Sequence, residues 1–486
     1  MSHATTFMRL ASPNERRTIT REDVGFYNAL VIGGIYEIAD KTVDVTSAIT
    51  FLGPLTHCIE TFPYLSVVLK DKHTETPAYE AVSTIDLHDH VSIIHEDEVS
   101  SNGDKAAIQK TLPAILDRPW PAGIPPWRIV VLPLASPPDC TVTRCFIAFA
   151  FSHSLGDGMV GIAFHRAFLE SWRQVTGTDS NASFSVTPPA RMLPPPFDTP
   201  ERLPISWKYL LEPLIAAYLP QAICKLLGIR ASASTIDAGT WIGSPIFFDP
   251  DATLQSRVRL LEIEAPLVQS ALQASRTHDT KLTATMHQMI VRALSKAIPS
   301  PDITNFVSGT PVDMRASIGV PALTWGLFVS GLYDVHPRIP DATEPAFSED
   351  MWTAASSMTK DLAACGARLQ DQAIGLLRYV PGMRNWTLGK IGQQRDSSYE
   401  LSNLLAFDDI NGNSNQKFKI TNMVFSQPGN APSAPLAFNV ISVKGGSLMC
   451  TVSWQAGALD VAVEDEMALV DQICSSIRTD FESLNV

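Results

Sequence analysis

Between Thr187 and Pro204 the chain reads TPPARMLPPPFDTPERLP, a density of prolines that neither a helix interior nor a central strand accepts. Such a stretch acts as a linker, and it divides the 486 residues into two parts, in keeping with roughly 100 to 200 residues per domain. Ahead of it, NALVIGGIYEIA (28–39) predicts a strand, Val43–Cys58 a helix and FPYLSVVLKD (62–71) a second strand. Residues 100–126, with the breakers of WPAGIPPW, read as loop; WRIVVLPL (127–134) and TRCFIAFAF (143–151) read as buried strands, and IAFHRAFLESW (162–172) as a helix. Beyond the linker the order recurs. SRVRLLEIE (256–264) predicts a strand, APLVQSALQASR (265–276) a helix, and TKLTATMHQMIVRALSKAI (280–298) an amphipathic helix capped near Thr280. NFVSGTPVDMR (305–315), WGLFVSGLYDV (325–335), LAFNVISVKG (436–445) and GSLMCTVSWQAG (446–457) predict strands, and residues 463–484 a closing helix. The expectation is an α+β chain in two halves, 1–190 and 241–486, joined by a Pro-rich and apolar helical segment at 191–240.

The joining segment contains WKYLLEPLIAAYLPQAICKLLG (207–228), helical in period although Pro213 and Pro220 should break or kink it. It reads as a core or lid helix, with weak contact to a membrane surface as the alternative. Composition narrows the function classes. With 37 Lys+Arg against 50 Asp+Glu the chain carries a net charge of −13 and shows no basic stripe, which argues against a nucleic-acid partner. Seven cysteines without a CxxC resemble neither a disulfide framework nor a zinc site, and the polar N-terminus has no apolar core of signal-peptide length. A cytoplasmic, monomeric, metal-free protein is expected.

The most specific local pattern is His153-Ser-Leu-Gly-Asp157-Gly158, at the exit of an apolar strand and just before a helix. Chance alone predicts roughly 0.7 HxxxD pairs in a chain of this composition, and roughly 0.04 once glycine must follow. A histidine is neutral yet basic near pH 7, which suits it to take a proton from an attacking hydroxyl; the competing reading is a buried structural histidine. Gly156 and Gly158 make a continuous helix through the motif doubtful, so helical pairing of His153 with Asp157 does not follow from their spacing. Gly158 suits a close backbone approach at the helix start.

These residues resemble the HxxxD motif of the acyl-CoA-dependent acyltransferase superfamily, which includes chloramphenicol acetyltransferase, plant BAHD acyltransferases, peptide-synthetase condensation domains and fungal alcohol acetyltransferases. Further segments are similar to it in order: Trp127-Arg128-Ile129, Pro311-Val-Asp313-Met-Arg315 and Leu401-Ser402-Asn403-Leu404. No DFGWG occurs, which places the resemblance nearer the fungal alcohol acetyltransferases than the plant enzymes. Ser152 stands where condensation domains carry a second histidine.

The resemblance implies two chloramphenicol acetyltransferase-like domains, each a mixed sheet flanked by helices, with an active-site tunnel between them. It implies His153 as general base, and Asp157 as a carboxylate that turns away to pair with Arg315; an Asp157 that orients His153 is the alternative. Ser402, Asn403 and Thr310 are the candidate donors to an oxyanion, and Tyr27 and Trp325 candidate tunnel walls. Trp127 reads as core, and Arg128 as partner to an acid. The implied activity is O-acylation, by acetyl-CoA or another acyl-CoA, of a hydroxyl on a small acceptor such as a secondary metabolite. Arg276, Lys281 and Arg292 are candidates for a basic patch toward the CoA phosphates. The alternatives keep the fold but use a carrier-protein thioester, or catalyse a cyclisation without acyl transfer.

Overall fold

The computed structural model describes residues 5–94, 103–136, 142–174, 183–218, 223, 236–252, 255–340, 342, 347–409 and 416–484. The first half holds strands β1 (Thr5–Leu10), β2 (Leu30–Ile38), β3 (Val67–Lys70), β4 (Ala78–Val82), β5 (Ile85–Asp86), β6 (Val91–Ile93), β7 (Trp127–Leu134) and β8 (Thr143–Phe151). Its helices are α1 (Pro13–Asp23), α2 (Leu52–Thr61), α3 (Asp104–Asp117) and α4 (Gly158–Gln174). After β9 (Ser185–Val186) and α5 (Trp207–Tyr218) come β10 (Ser256–Ile263), α6 (Ala265–Thr277), α7 (Leu282–Ala297), β11 (Asn305–Asp313), β12 (Val329–Pro337) and α8 (Glu349–Ala367). The chain closes with α9 (Met383–Leu388), β13 (Tyr399–Phe407), β14 (Phe418–Ser426), β15 (Leu436–Val443), β16 (Leu448–Gln455) and α10 (Glu466–Ser483).

Two mixed sheets carry the fold, one of six strands in the order β10-β16-β15-β13-β11-β12 and one of five in the order β14-β2-β8-β7-β6. Helices cover faces of these sheets, as the apolar runs demand, and α3 of the first half packs against β10 of the second as well as on its own sheet. The sheets do not follow the halves of the chain. β14, from the second half, pairs antiparallel with β2 from Phe418↔Ile38 to Ser426↔Val31, so one half completes the other's sheet. Residues from 418–426 accordingly pack in the first-half core: Phe418, Ile420, Met423 and Phe425 join Ile32, Phe149, Phe164 and Phe168 there.

Several elements differ from the sequence expectation. The stretch read as loop contains α3, whose Ala107, Ile108, Leu112, Ile115 and Leu116 form one buried stripe; the breakers act only from Trp120 on. The helix expected from Val43 starts at Leu52, because the Asp44 carboxylate accepts from Thr46 N (2.9 Å) and turns the chain first. FPYLSVVLKD becomes a strand only at Val67, after a short 3₁₀ turn begun by Pro63. WGLFVSGLYDV becomes one only at Val329. Thr280 does not cap α7: its hydroxyl donates to Ala355 O (3.0 Å), and Lys281 takes the cap position. Helix α5 runs through Pro213 and exposes Trp207, Leu211 and Ile215. Pro220 lies outside the described residues. No described helix is long and apolar enough to cross a membrane.

Candidate active site

Strand β8 is apolar from Cys145 to Phe151 and buried throughout, and α4 cannot begin until the chain has turned out of the sheet. The turn is residues 152–157, and its backbone is held from three sides. Tyr79 Oη donates to Ser154 O (2.7 Å), Trp325 Nε1 donates to Leu155 O (2.7 Å), and Asp157 N donates to Gly326 O (3.2 Å). Ser152 Oγ donates to the Glu22 carboxylate of α1 and lies 2.7 Å from Ser154 Oγ, so the residues on both sides of His153 are tied to one buried acid. Burial pushes the Glu22 carboxyl up to about 7, against the lowering effect of the Ser152 hydrogen bond. Gly158 lets β13 approach closely: a Cβ there would lie 2.5 Å from Leu404 Cδ2, so a larger residue would have to displace that side chain.

His153 Nδ1 lies 2.9 Å from Gly156 O. A carbonyl only accepts, so Nδ1 carries the proton and Nε2 keeps its lone pair. The ring is partly exposed, and among the described residues Nε2 has no hydrogen-bond partner. Burial, and after it the charge of Arg17, push the His153 imidazole down to about 4, so it is neutral and proton-accepting at pH 7. The Tyr27 ring packs 5.6 Å from it, and Tyr27 Oη donates to Gln427 Oε1 (2.8 Å). Gln427 Nε2 in turn donates to Glu400 Oε1 (2.7 Å) and Asn439 Oδ1 (2.9 Å), linking the residue after β14 to β13 and β15.

Asp157 does not touch the imidazole. Arg315 Nη2 donates to its Oδ1 (2.9 Å) and Phe328 N to its Oδ2 (2.9 Å), while Met159 N caps α4 on Oδ1 (3.0 Å). Arg315 directs Nη1 to Asp313 Oδ1 (3.0 Å) and Nε to Thr324 O (2.9 Å), and both members of the Asp157–Arg315 pair are buried. The pair therefore joins the turn of the first half to the strand end of the second.

The remaining candidates divide by strand alternation. Thr310 Oγ1 contacts His287 Nε2 (3.1 Å) and Asn403 Nδ2 donates to Thr283 Oγ1 (3.0 Å), so both side chains turn toward α7 and away from His153. Ser402 shares the opposite face with Glu400 and is paired with Asn439, which places it on the side of the Tyr27–Gln427 network. Trp325 packs 4.3 Å from Phe62 within the first-half core, beneath the turn. Arg128 meets the carbonyls of Arg118 (3.0 Å) and Pro119 (3.1 Å) and the Trp120 ring, where an acid was expected. Arg292 is buried and paired with Asp480, which removes it from any surface patch for CoA; Arg276 and Lys281 are exposed. Glu22, Gln427 and Glu400 escaped the sequence reading. Only for Glu22 was there a signal, since Ser12-x-x-Glu15 announces the start of α1 and both halves of that capping box form.

A probable alcohol acetyltransferase of Fusarium pseudograminearum is 22% identical over 413 residues, covering 82% of this chain and 80% of its own. An uncharacterized protein of Schizosaccharomyces pombe is 25% identical over 461 residues, covering 92% and 91%. Among solved structures, the trichothecene 15-O-acetyltransferase TRI3 of Fusarium sporotrichioides superposes with a TM-score of 0.65 at 11% identity, covering 97% of this chain and 94% of that one. TRI101 of the same organism, solved with coenzyme A and T-2, gives 0.55 at 12% identity over 93% and 96%. The condensation domain of the monacolin K synthase MokA gives 0.57 at 11% over 99% and 98%. These likenesses show the two-domain acyltransferase and condensation fold. The sequence model of the alcohol acetyltransferases matches residues 104–476, and by that match the chain belongs to the alcohol acetyltransferase family.

Proposed function

We propose that the protein transfers an acyl group, by default acetyl, from acyl-CoA to a hydroxyl of a small acceptor, with His153 as general base. The observation that carries this reading is the imidazole itself: Nδ1 is occupied by Gly156 O, Nε2 keeps its lone pair and has no hydrogen-bond partner among the described residues, and His153 is partly exposed. The acceptor hydroxyl donates to Nε2 and loses its proton there as its oxygen attacks the thioester carbonyl. The Ser402 hydroxyl is the remaining candidate side-chain donor to the resulting oxyanion. Collapse expels the CoA thiolate, which regains the proton from Nε2; one ester bond forms, one thioester bond breaks, and no covalent acyl-enzyme is needed. Asp157 and Arg315 act by holding the turn. The family match supports acyl transfer, and TRI101, a structural neighbour, binds coenzyme A and T-2.

The condensation domains among the neighbours favour a second reading, in which a carrier-protein thioester is the donor. The test is incubation with acetyl-CoA and a panel of hydroxylated metabolites, read by mass spectrometry. An acceptor gaining one acetyl group is the expected result; a protein idle with acetyl-CoA but active with a carrier thioester, or a product of unchanged mass, overturns it.

A further inference from the structure

Helix α1 carries three arginines, and they are not equivalent. Arg16 lies 3.8 Å from Glu75, and nearby Arg9 and Arg384 pair with Glu15 and Asp23. Among the described residues no carboxylate stands within ion-pair distance of Arg17 or Arg21. Arg17 directs Nε and Nη2 to a single neutral acceptor, Asn14 Oδ1, at 3.2 and 3.1 Å. The two are one turn apart and share a face of the helix. The helix that carries them ends at the active site: Glu22, next in the chain after Arg21, meets Ser152 beside His153, and six residues after Arg21 the Tyr27 ring packs on the imidazole. After burial, the charges of Arg17 and then Arg21 are what hold His153 down, and both also act on Glu400 and Tyr333 across the site.

Partly buried guanidinium groups with no carboxylate at ion-pair distance are poised to bind one, since burial strengthens a charge-assisted hydrogen bond. We propose that Arg17 and Arg21 hold an anionic group of the acceptor, so that the alcohol taken by this site is a hydroxy acid. This rests on the acyl-transfer reading. The other anion of that reaction, the phosphates of CoA, sits at the far end of the pantetheine arm when the thioester is at His153, whereas the arginines stand on the helix that ends at the imidazole and their charges act on it. A carboxylate between them also offsets the charges that weaken His153, so the base strengthens when acceptor is bound.

Isothermal titration calorimetry at pH 7 with mandelate, tropate and salicylate, each beside its methyl ester, tests the proposal on the full-length protein. At least one acid should bind about tenfold or more tightly than its ester, the range of a charge-assisted hydrogen bond. That advantage should vanish in Arg17→Gln/Arg21→Gln and persist in Arg17→Lys/Arg21→Lys. Acids that bind no better than their esters overturn the proposal on the wild-type protein alone, whatever the variants do. So does a double variant that loses affinity for CoA but not for pantetheine, which assigns the pair to the CoA phosphates. Acetyl-CoA turnover by wild type and His153→Ala, run in parallel, reports separately on the acyl-transfer reading.

Discussion

At the scale of single residues the site depends on charges buried with their partners. Asp157 and Arg315 are both almost fully buried, so removing either leaves the other uncompensated, and Asp157→Ala and Arg315→Ala should each cost about 3 to 5 kcal/mol. In a double-mutant cycle followed by urea denaturation the two should couple strongly; additive losses contradict the pairing. Glu22 gives a second residue-level prediction. Its carboxyl titrates near 7 in the folded protein and near the ordinary carboxylate value once unfolded, so the unfolded chain gives up its proton first. The stability it contributes is full below about 4.5 and declines as pH rises to about 7, by about 3 kcal/mol. The stability difference between wild type and Glu22→Gln should shrink by an amount of that order from pH 5 to pH 7.5; a pH-independent difference contradicts the buried titration.

At the scale of elements, the turn that presents His153 is only as well placed as α4 is seated on β2. A Cβ at Gly161 would lie 2.5 to 2.7 Å from the Ile32 side chain, whose β-branch gives it little freedom. Alanine normally stabilises a helix interior by about 1 kcal/mol relative to glycine, but overpacking costs about 1 to 3 kcal/mol. Gly161→Ala should therefore destabilise, and a rise in melting temperature would show that the helix does not approach this closely. Elements were legible in the sequence where one apolar pattern decided them. TRCFIAFAF and IAFHRAFLESW became β8 and α4 because continuous and 3.6-residue periodicity point to different structures. The α3 stripe was hidden by the prolines that follow it, and α1 by a polar surface in which only the capping box marks a helix.

At the scale of the whole molecule, the motif was legible and its surroundings were not. His153, Asp157 and Gly158 are neighbours in the chain, and resemblance alone joined Arg315 to them across 158 residues. Gln427 reaches Tyr27 because β14 crosses into the first-half sheet, a pairing that no local periodicity encodes. The same alternation that brings Glu400 and Ser402 toward the site turns Asn403 away, and a four-residue resemblance does not distinguish those faces. The crossover also makes the two halves one structure, with the imidazole where the first half's turn meets the network from β13, β14 and β15. The most direct test of this arrangement is the rate of acetyl transfer from acetyl-CoA, compared between wild type and His153→Ala at pH 7. Loss of general-base help predicts a fall of about 10² to 10⁴ in a variant that still folds and binds CoA; turnover close to that of wild type would contradict the account.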